Sequence, residues 1–135
     1  MWHPSPRVLL VMPEQWPRAL LRAALREAGY DALGAPHLAG ARRYRADAPD
    51  RGPVRVILVD QSALTGDDAG AQLSGLARRH GDPALLLLAR GRSGPDTTPE
   101  GGWHRIIRRP ASIAELVEAV RVLIPLPPGA ARPLD

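Results

Sequence analysis

Two long apolar runs limit what this chain can fold into. Residues 54–59 are apolar apart from one Arg, and residues 84–89 contain no polar side chain. Runs of this kind are typical of strands in a parallel sheet that is covered on both faces. Residues 7–11 have the same character near the start of the chain. Because helical or loop-like stretches separate these runs, the sequence predicts an α/β three-layer sandwich with right-handed crossovers.

The individual elements follow from periodicity, caps and breakers. Strands are predicted at residues 7–11, 31–35, 54–60, 84–89 and 103–108, and helices at residues 16–28, 37–50, 69–80 and 112–124. The predicted apolar face of the first helix consists of Leu20, Leu21, Ala24, Leu25 and Ala28, with Gly29 at its end. The last helix opens with a capping box, Ser112 to Glu115. Its predicted buried stripe is Ile113, Leu116, Val117, Val120, Leu123 and Ile124.

The alternation of strands and helices leads us to expect a helix between the fourth and fifth strands, but the sequence there does not favour one. Residues 91–102 contain four Gly and two Pro, which defeat a regular helix, so a loop is predicted there. At 135 residues the chain is long enough for one ordinary domain. We assign that domain to residues 1–124 and describe residues 125–135 as a Pro-rich tail or the stub of a linker.

The composition excludes several classes of function. There is no cysteine, which rules out disulfides, thiol catalysis and cysteine-based zinc sites. No apolar stretch of about 18 residues is present, and no basic start precedes an apolar signal segment, so we expect no membrane span and no secretion. The expected location is the cytoplasm.

The basic residues are the other compositional extreme. All 18 are Arg, set against 14 acids, which gives a formal net charge of +4. Clusters at residues 42–45, 78–79, 90–92 and 105–109 have the charge to track phosphates, but no aromatic interleaving or DNA-reading motif accompanies them. Solvated helix faces and loop ends are the favoured interpretation, and a nucleic-acid or acidic partner is the alternative.

One carboxylate stands out at the predicted carboxyl edge of the sheet, where open α/β sheets keep their sites. Asp60 ends the third predicted strand. The first strand ends instead in Met12, Pro13 and Glu14, which supply a thioether, an imide and one acid. Asp60 is therefore a carboxylate with little support from its neighbours.

With these features the chain resembles the receiver domain of two-component response regulators, from about residue 7 to residue 124. The resemblance rests on Val-Leu-Leu-Val in the first strand, Ala28-Gly29-Tyr30 after the first helix, Ile-Leu-Val-Asp ending at Asp60, and Arg109-Pro110 before the last helix. It implies a flavodoxin-like fold in which five parallel strands have the order 2-1-3-4-5.

In receiver domains an Asp at the position of Asp60 accepts a phosphoryl group, and the resemblance assigns its helpers one by one. The acidic pair that binds magnesium falls on Met12 and Pro13, neither of which offers the oxygen ligand that this ion requires. The Ser or Thr at the end of the fourth strand falls on Leu88. The Lys before the late Pro falls on Arg109, which keeps the charge but replaces a compact ammonium by a planar fork.

These departures predict that Asp60 is not phosphorylated. A metal ion supplies much of the charge neutralisation in phosphoryl transfer, so the loss of its ligands slows the reaction by orders of magnitude. Glu14 is a metal ligand only under the alternative of an active domain, and its ordinary role is an acid at a helix start. We expect no cofactor and no enzymatic activity, with magnesium entering only under that alternative. Asp60 is then held by Arg109 or by loop amides.

A predicted interaction surface consists of Trp103, His104 and Arg105, since Trp and Arg are frequent in binding hot spots and family members expose a surface here. The alternative for Trp103 is that its ring fills the space left by the missing helix. Trp2 and Trp16 are predicted to pack at the N-terminus and at the start of the first helix. The four histidines are too far apart in the sequence to suggest a metal-binding site, and each is expected to face solvent: His3, His37, His80 and His104.

Three functional hypotheses follow. The first is a degenerate receiver domain that acts as a phosphorylation-independent protein interaction module in bacterial signal transduction, with a protein partner and the option of a homodimer. The second is an active receiver that is phosphorylated on Asp60 in a two-component phosphorelay. The third is a binder of nucleic acid or small anions through the Arg-rich loops, although no phosphate-binding fingerprint follows the first strand.

Overall fold

Five strands and four helices make up the part of the chain that the computed structural model describes, which is residues 5–47, 49, 51–91 and 97–126. Outside that part lie Trp2, His3, residues 92–96 of the predicted loop and residues 127–135 of the predicted tail. The strands are β1 (Arg7–Val11), β2 (Asp31–Ala35), β3 (Val54–Asp60), β4 (Ala84–Ala89) and β5 (Arg105–Arg108). The helices are α1 (Gln15–Ala28), α2 (Leu38–Ala41), α3 (Ala69–Arg79) and α4 (Ile113–Leu123), and a 3-10 turn, Gln61–Ala63, follows β3.

All strand pairs are parallel and their order is β2-β1-β3-β4-β5, which confirms the predicted flavodoxin-like sheet. Alternate residues of the central strands point to opposite faces, and each face has its own apolar cluster. On one face Leu9 and Ile57 pack with Leu73 and Leu76 of α3. On the other face the strands pack against α1 and α4 through Val8, Leu10, Val56, Leu58, Leu86, Leu21, Leu25, Leu116 and Val120. This two-sided coverage explains the continuous apolar sequences of β1, β3 and β4.

α1 has nearly the predicted bounds but a narrower apolar face. Gly29 ends the helix in the left-handed region, with φ of 109°. Leu21 and Leu25 are buried, whereas Leu20, which the prediction places on the same apolar face, is 55% exposed. Trp16 is 77% exposed, so the prediction that it packs at the helix start is wrong. The two exposed residues are one turn apart, on the solvent side of a helix that contacts the core through Leu21 and Leu25.

The second helix is much shorter than the sequence predicts. A helix is expected over residues 37–50, but α2 contains four residues and turns follow it. Arg7 accounts for part of the difference. Its guanidinium donates to the carbonyl groups of Arg45 and Gly52, both at 2.8 Å. These contacts hold the chain across the start of β1, and the Arg45 carbonyl is satisfied by a side chain rather than by a helical turn.

The connection between β4 and β5 contains no helix in residues 90–91 and 97–104, the part of it that the structure describes. β5 starts at Arg105, two residues later than predicted. It is an edge strand, and Ile106 on it is 39% exposed. β5 is therefore covered less completely than the central strands.

α4 begins with the cap that the sequence predicts. The Ser112 hydroxyl accepts the backbone N–H of Glu115 at 3.1 Å, and Leu116 and Val120 are buried, while the rest of the predicted stripe is partly buried against the same cluster. Neither α4 nor any other helix in the described part of the chain has the length and hydropathy to cross a membrane.

A buried polar cluster lies at the amino edge of the sheet, where the sequence carries no motif. Arg7 is almost completely buried and its Nε lies 3.7 Å from the Asp31 carboxylate. His80, at the end of α3, is only 3% exposed, so the prediction that it faces solvent is wrong. Its Nδ1 accepts the backbone N–H of Val54 at 3.1 Å and ties α3 to β3. Burial lowers the pKa of His80 below its usual 6.5, and the cations Arg7 and Arg79 lower it further.

We expect His80 to make the fold less stable in mild acid. The unfolded chain binds a proton on His80 near pH 6.5, whereas the folded chain binds it only at lower pH, so protonation favours unfolding. The contribution of His80 to the free energy of unfolding is complete above the unfolded pKa. It is lost as the pH falls from there through the lowered folded pKa. Urea unfolding at several pH values between about 8 and 5 measures this loss.

His80→Gln should show a smaller fall in stability over the same pH range than the wild-type domain does. His37→Gln is the matched control, because His37 is exposed at the start of α2 and should leave the pH dependence unchanged. A His80→Gln variant with the full wild-type pH dependence would contradict this role.

Candidate functional site

Asp60 ends β3 at the carboxyl edge of the sheet and is only 4% exposed. Its Oδ1 accepts two hydrogen bonds from Ser62, one from the backbone N–H and one from the hydroxyl, both at 2.9 Å. These bonds cap the 3-10 turn Gln61–Ala63. Sequence reasoning anticipated loop amides as partners of Asp60, but not the Ser62 hydroxyl.

The second carboxylate oxygen of Asp60 is paired with Arg109, whose guanidinium contacts Oδ2 directly. The Arg109 backbone N–H donates to the Ala89 carbonyl at 3.0 Å, which fixes the residue at the end of β5. Its side chain is 38% exposed. Both oxygens of the buried carboxylate thus have protein partners, and a cation within the chain balances its charge.

The positions of the family's acidic pair hold no metal-binding group. Met12 is buried in the apolar cluster that also contains Leu88 and Leu116. Pro13 is half-buried, and Glu14 is exposed at the start of α1, where its side chain makes no capping bond. Among the described residues, no three His, Asp or Glu side chains lie close enough together to hold a metal ion. Met12 and Pro13 therefore add no side-chain oxygen to the carboxylate of Asp60, and oxygen ligands are what magnesium prefers.

Arg18 occupies the carbonyl groups at the end of β1, a role that the sequence did not reveal. Its Nη1 donates to the Met12 carbonyl at 2.6 Å and lies 3.5 Å from that of Pro13. Gly34 makes room for this side chain, because a Cβ at residue 34 would lie 3.1 Å from Arg18 Cδ. A cation of the chain itself therefore caps this strand end. Because Arg is common in the first turns of helices, its presence at residue 18 did not predict this contact.

Leu88 lies beside Asp60, since the two residues are partners in the parallel register of β3 and β4. It is 3% exposed and offers no hydroxyl group. A groove of about 440 Å³ opens next to it, lined by Met12, Pro17, Leu88, Arg109, Pro110, Ala111, Ile113 and Leu116. Arg109 is the one charged residue in that lining, so the groove is mainly apolar.

The three residues of the predicted interaction surface differ in exposure. Trp103 is half-buried against the core, and its indole N–H donates to the Thr97 carbonyl at 3.1 Å. This placement agrees with the alternative in which the ring fills space left by the missing helix. His104 is exposed, although its Nδ1 accepts the Leu85 N–H at 2.9 Å, and Arg105 is exposed on β5.

Comparison with known proteins finds similar structures, but the comparisons by sequence find no match. No protein-family model matches the chain, and no curated protein matches it in sequence. A response regulator from Thermotoga maritima has 18% identity and a TM-score of 0.68, covering 89% of this chain and 98% of that one. The HemR receiver domain from Leptospira biflexa has 19% identity and a TM-score of 0.69, covering 97% and 100%.

A response regulator from Burkholderia pseudomallei, solved with a phosphorylated aspartic acid, a calcium ion and citrate, is also similar. It has 17% identity and a TM-score of 0.66, covering 88% of this chain and 66% of that one. At these identities the similarity is one of fold. The chain therefore has the fold of response-regulator receiver domains.

The pair of Asp60 and Arg109 should contribute measurably to stability. Arg109→Met leaves the buried carboxylate with Ser62 as its remaining partner, so we expect the free energy of unfolding to fall by about 2 kcal/mol. The loss is smaller than for a fully buried pair, because Arg109 is 38% exposed and partly screened by solvent. Adding Asp60→Asn removes the stranded charge and should recover about half of the loss.

Urea unfolding of the two single variants and the double variant at neutral pH gives the coupling energy. Arg26→Met, which removes an exposed cation from α1, is the matched control and should change stability by less than about 0.5 kcal/mol. Additive effects of the two site substitutions would contradict the pairing.

Proposed function

We propose that this chain is a receiver-like domain that works without phosphorylation, as a protein interaction module in bacterial signal transduction. The observation that carries the proposal is the Arg109 guanidinium on the Asp60 carboxylate. This ion pair lies in a fold that is shared with receiver domains. Asp60 is the residue that the resemblance assigns as phosphoacceptor. The proposal includes no catalytic residue and no cofactor, and it locates the domain in the cytoplasm.

The chemistry of phosphoryl transfer supports this proposal. An aspartate accepts a phosphoryl group when one carboxylate oxygen attacks phosphorus while nearby cations neutralise the transferring oxygens. Here one oxygen of Asp60 is bound by Ser62 and the other by Arg109. Freeing an oxygen would break a charge-assisted bond in a largely buried place, and Met12 and Pro13 bring no ligand for a compensating metal ion.

A conformational response to phosphorylation would also lack the hydroxyl group that it requires. The resemblance implies that a Ser or Thr hydroxyl follows the phosphoryl group, and Leu88 occupies that position in the strand next to Asp60. A buried Leu side chain cannot donate a hydrogen bond to a phosphoryl oxygen. We therefore propose that the domain keeps one conformation and presents one constant surface to its partner.

As part of the same proposal, we assign the partner-binding surface to β5 and the residues before it. His104, Arg105 and Ile106 are exposed there, and Trp103 precedes them, half-buried against the core. Arg105 and Ile106 are consecutive strand residues that point to opposite faces of the sheet, so a partner that packs along the edge of β5 contacts both, and Arg105 favours an acidic protein. A second copy of the chain is the other partner that fits the proposal, through the last helix, on which Val122 is 58% exposed.

Incubation with acetyl phosphate or beryllofluoride and magnesium tests the central claim. We expect no phosphoryl adduct by intact mass, and no change at the amides of Asp60 and its neighbours in ¹H–¹⁵N spectra. The physical reason is that Arg109 occupies the oxygen that would attack or coordinate. The response regulator from Burkholderia pseudomallei, whose structure contains a phosphorylated aspartic acid, is the positive control.

A stoichiometric, magnesium-dependent adduct on the wild-type chain would establish the alternative of an active receiver. Asp60→Asn would then identify the acceptor, because an adduct on Asp60 disappears in that variant whereas an adduct elsewhere persists.

A further inference from the structure

A small polar pocket opens next to Asp60, in the loop that follows β3. Its volume is about 210 Å³, and it is lined by Gln61, Ser62, Leu64, Thr65, Arg90 and Thr97. Five of these six residues carry a hydrogen-bond donor on the side chain, and none carries a carboxylate. This chemistry differs from that of the mainly apolar groove beside Leu88.

Gln61 has a fixed orientation in this pocket. Its Oε1 accepts the backbone N–H of Arg90 at 2.7 Å, just after the end of β4. The carbonyl end of the amide is therefore engaged, and the NH₂ end is left to donate. Among the described residues that NH₂ group has no hydrogen-bond partner. Gln61 therefore has two N–H donors available where it lines the pocket.

Arg90 is the one charged side chain among the described residues that line the pocket. Arg90 is exposed, and its guanidinium makes no ion pair with the part of the chain that the structure describes. Asp60, the neighbour of Gln61 in sequence, has both carboxylate oxygens bound, one by Ser62 and the other by Arg109. The hydroxyl groups of Thr65 and Thr97 add two further donors in the lining. A cation meets no carboxylate in this lining, whereas an anion meets these donors and a guanidinium that has no ion pair among the described residues.

We propose that this pocket binds a small free oxyanion of the size of inorganic phosphate. A volume of about 210 Å³ equals roughly seven water molecules' share of the liquid, which is room for one tetrahedral oxyanion and a few waters. Pockets for larger organic ligands usually start at roughly 300 Å³. The site is non-covalent and includes no metal ion. It does not depend on the proposed protein interaction, nor on whether Asp60 accepts a phosphoryl group.

Titration with inorganic phosphate tests this site, with ¹H–¹⁵N spectra recorded at constant ionic strength in chloride and without magnesium. Inorganic phosphate donates no phosphoryl group, so any effect reports binding and not modification of Asp60. We expect saturable shifts at the amides of Gln61, Ser62, Thr65 and Arg90. AMP should bind no more tightly than phosphate, since the pocket has no room for a nucleoside.

Gln61→Glu is the sharpest variant, because one carboxylate oxygen can keep the bond from the Arg90 N–H while the other replaces the donor by a negative charge. We expect phosphate affinity to fall about tenfold or more, and Arg90→Gln to have a similar effect. Arg26→Gln removes an exposed cation from α1 and should leave the affinity unchanged.

Three results would overturn the proposal. They are the absence of saturable shifts with phosphate, equal affinity in wild type and Gln61→Glu when the spectra show that both are folded, and an equal loss in Arg26→Gln, which would indicate general attraction to a basic protein. AMP binding much tighter than phosphate would overturn the assignment to a free oxyanion.

Discussion

A parallel sheet must be covered on both faces, and much of this molecule follows from how unevenly its sheet is covered. α1 and α4 together cover one face with a continuous apolar cluster. The opposite face has α3, a four-residue α2, and a connection before β5 that contains no helix in its described residues. Trp103 packs against that face and donates to the chain at Thr97. The exposed side chains of β5 are the result, and they are the reason that a partner surface is proposed there.

The carboxyl edge of the sheet has a different constraint, which is a carboxylate that has been removed from water. Asp60 is buried, so each of its oxygens requires a donor. Ser62 and Arg109 supply them from the turn after β3 and from the end of β5, and the contacts connect two segments far apart in sequence. The same two contacts bind both oxygens of Asp60, which lies beside the polar pocket. The electrostatics of the proposed anion site therefore depend on the ion pair next to it.

The strands, their order and the cap at Ser112 were predictable because each depends on local pattern or on rules that govern all parallel sheets. The features that escaped prediction depend on contacts between distant residues. Arg7 has no special sequence signal as a strand residue, yet it binds the Arg45 carbonyl, which a longer second helix would have used. His80 reads as a polar helix end, yet the N–H of Val54 binds it in the interior. One hydrogen bond joins the Gln61 side chain to the backbone of Arg90 in another loop, and the sequence of neither segment predicts it.

Arg18 has a consequence for how the domain relates to its surroundings. Its guanidinium contacts the carbonyl groups of Met12 and Pro13, and the Arg109 guanidinium pairs with the Asp60 carboxylate. Cationic side chains of the chain itself therefore bind the polar groups at these strand ends. Guanidinium groups stay charged across the physiological pH range, and unlike a bound ion they are not supplied from solution. On the proposed function, the geometry of this edge therefore requires no bound ion. Changes in the free magnesium concentration of the cell should leave it unchanged.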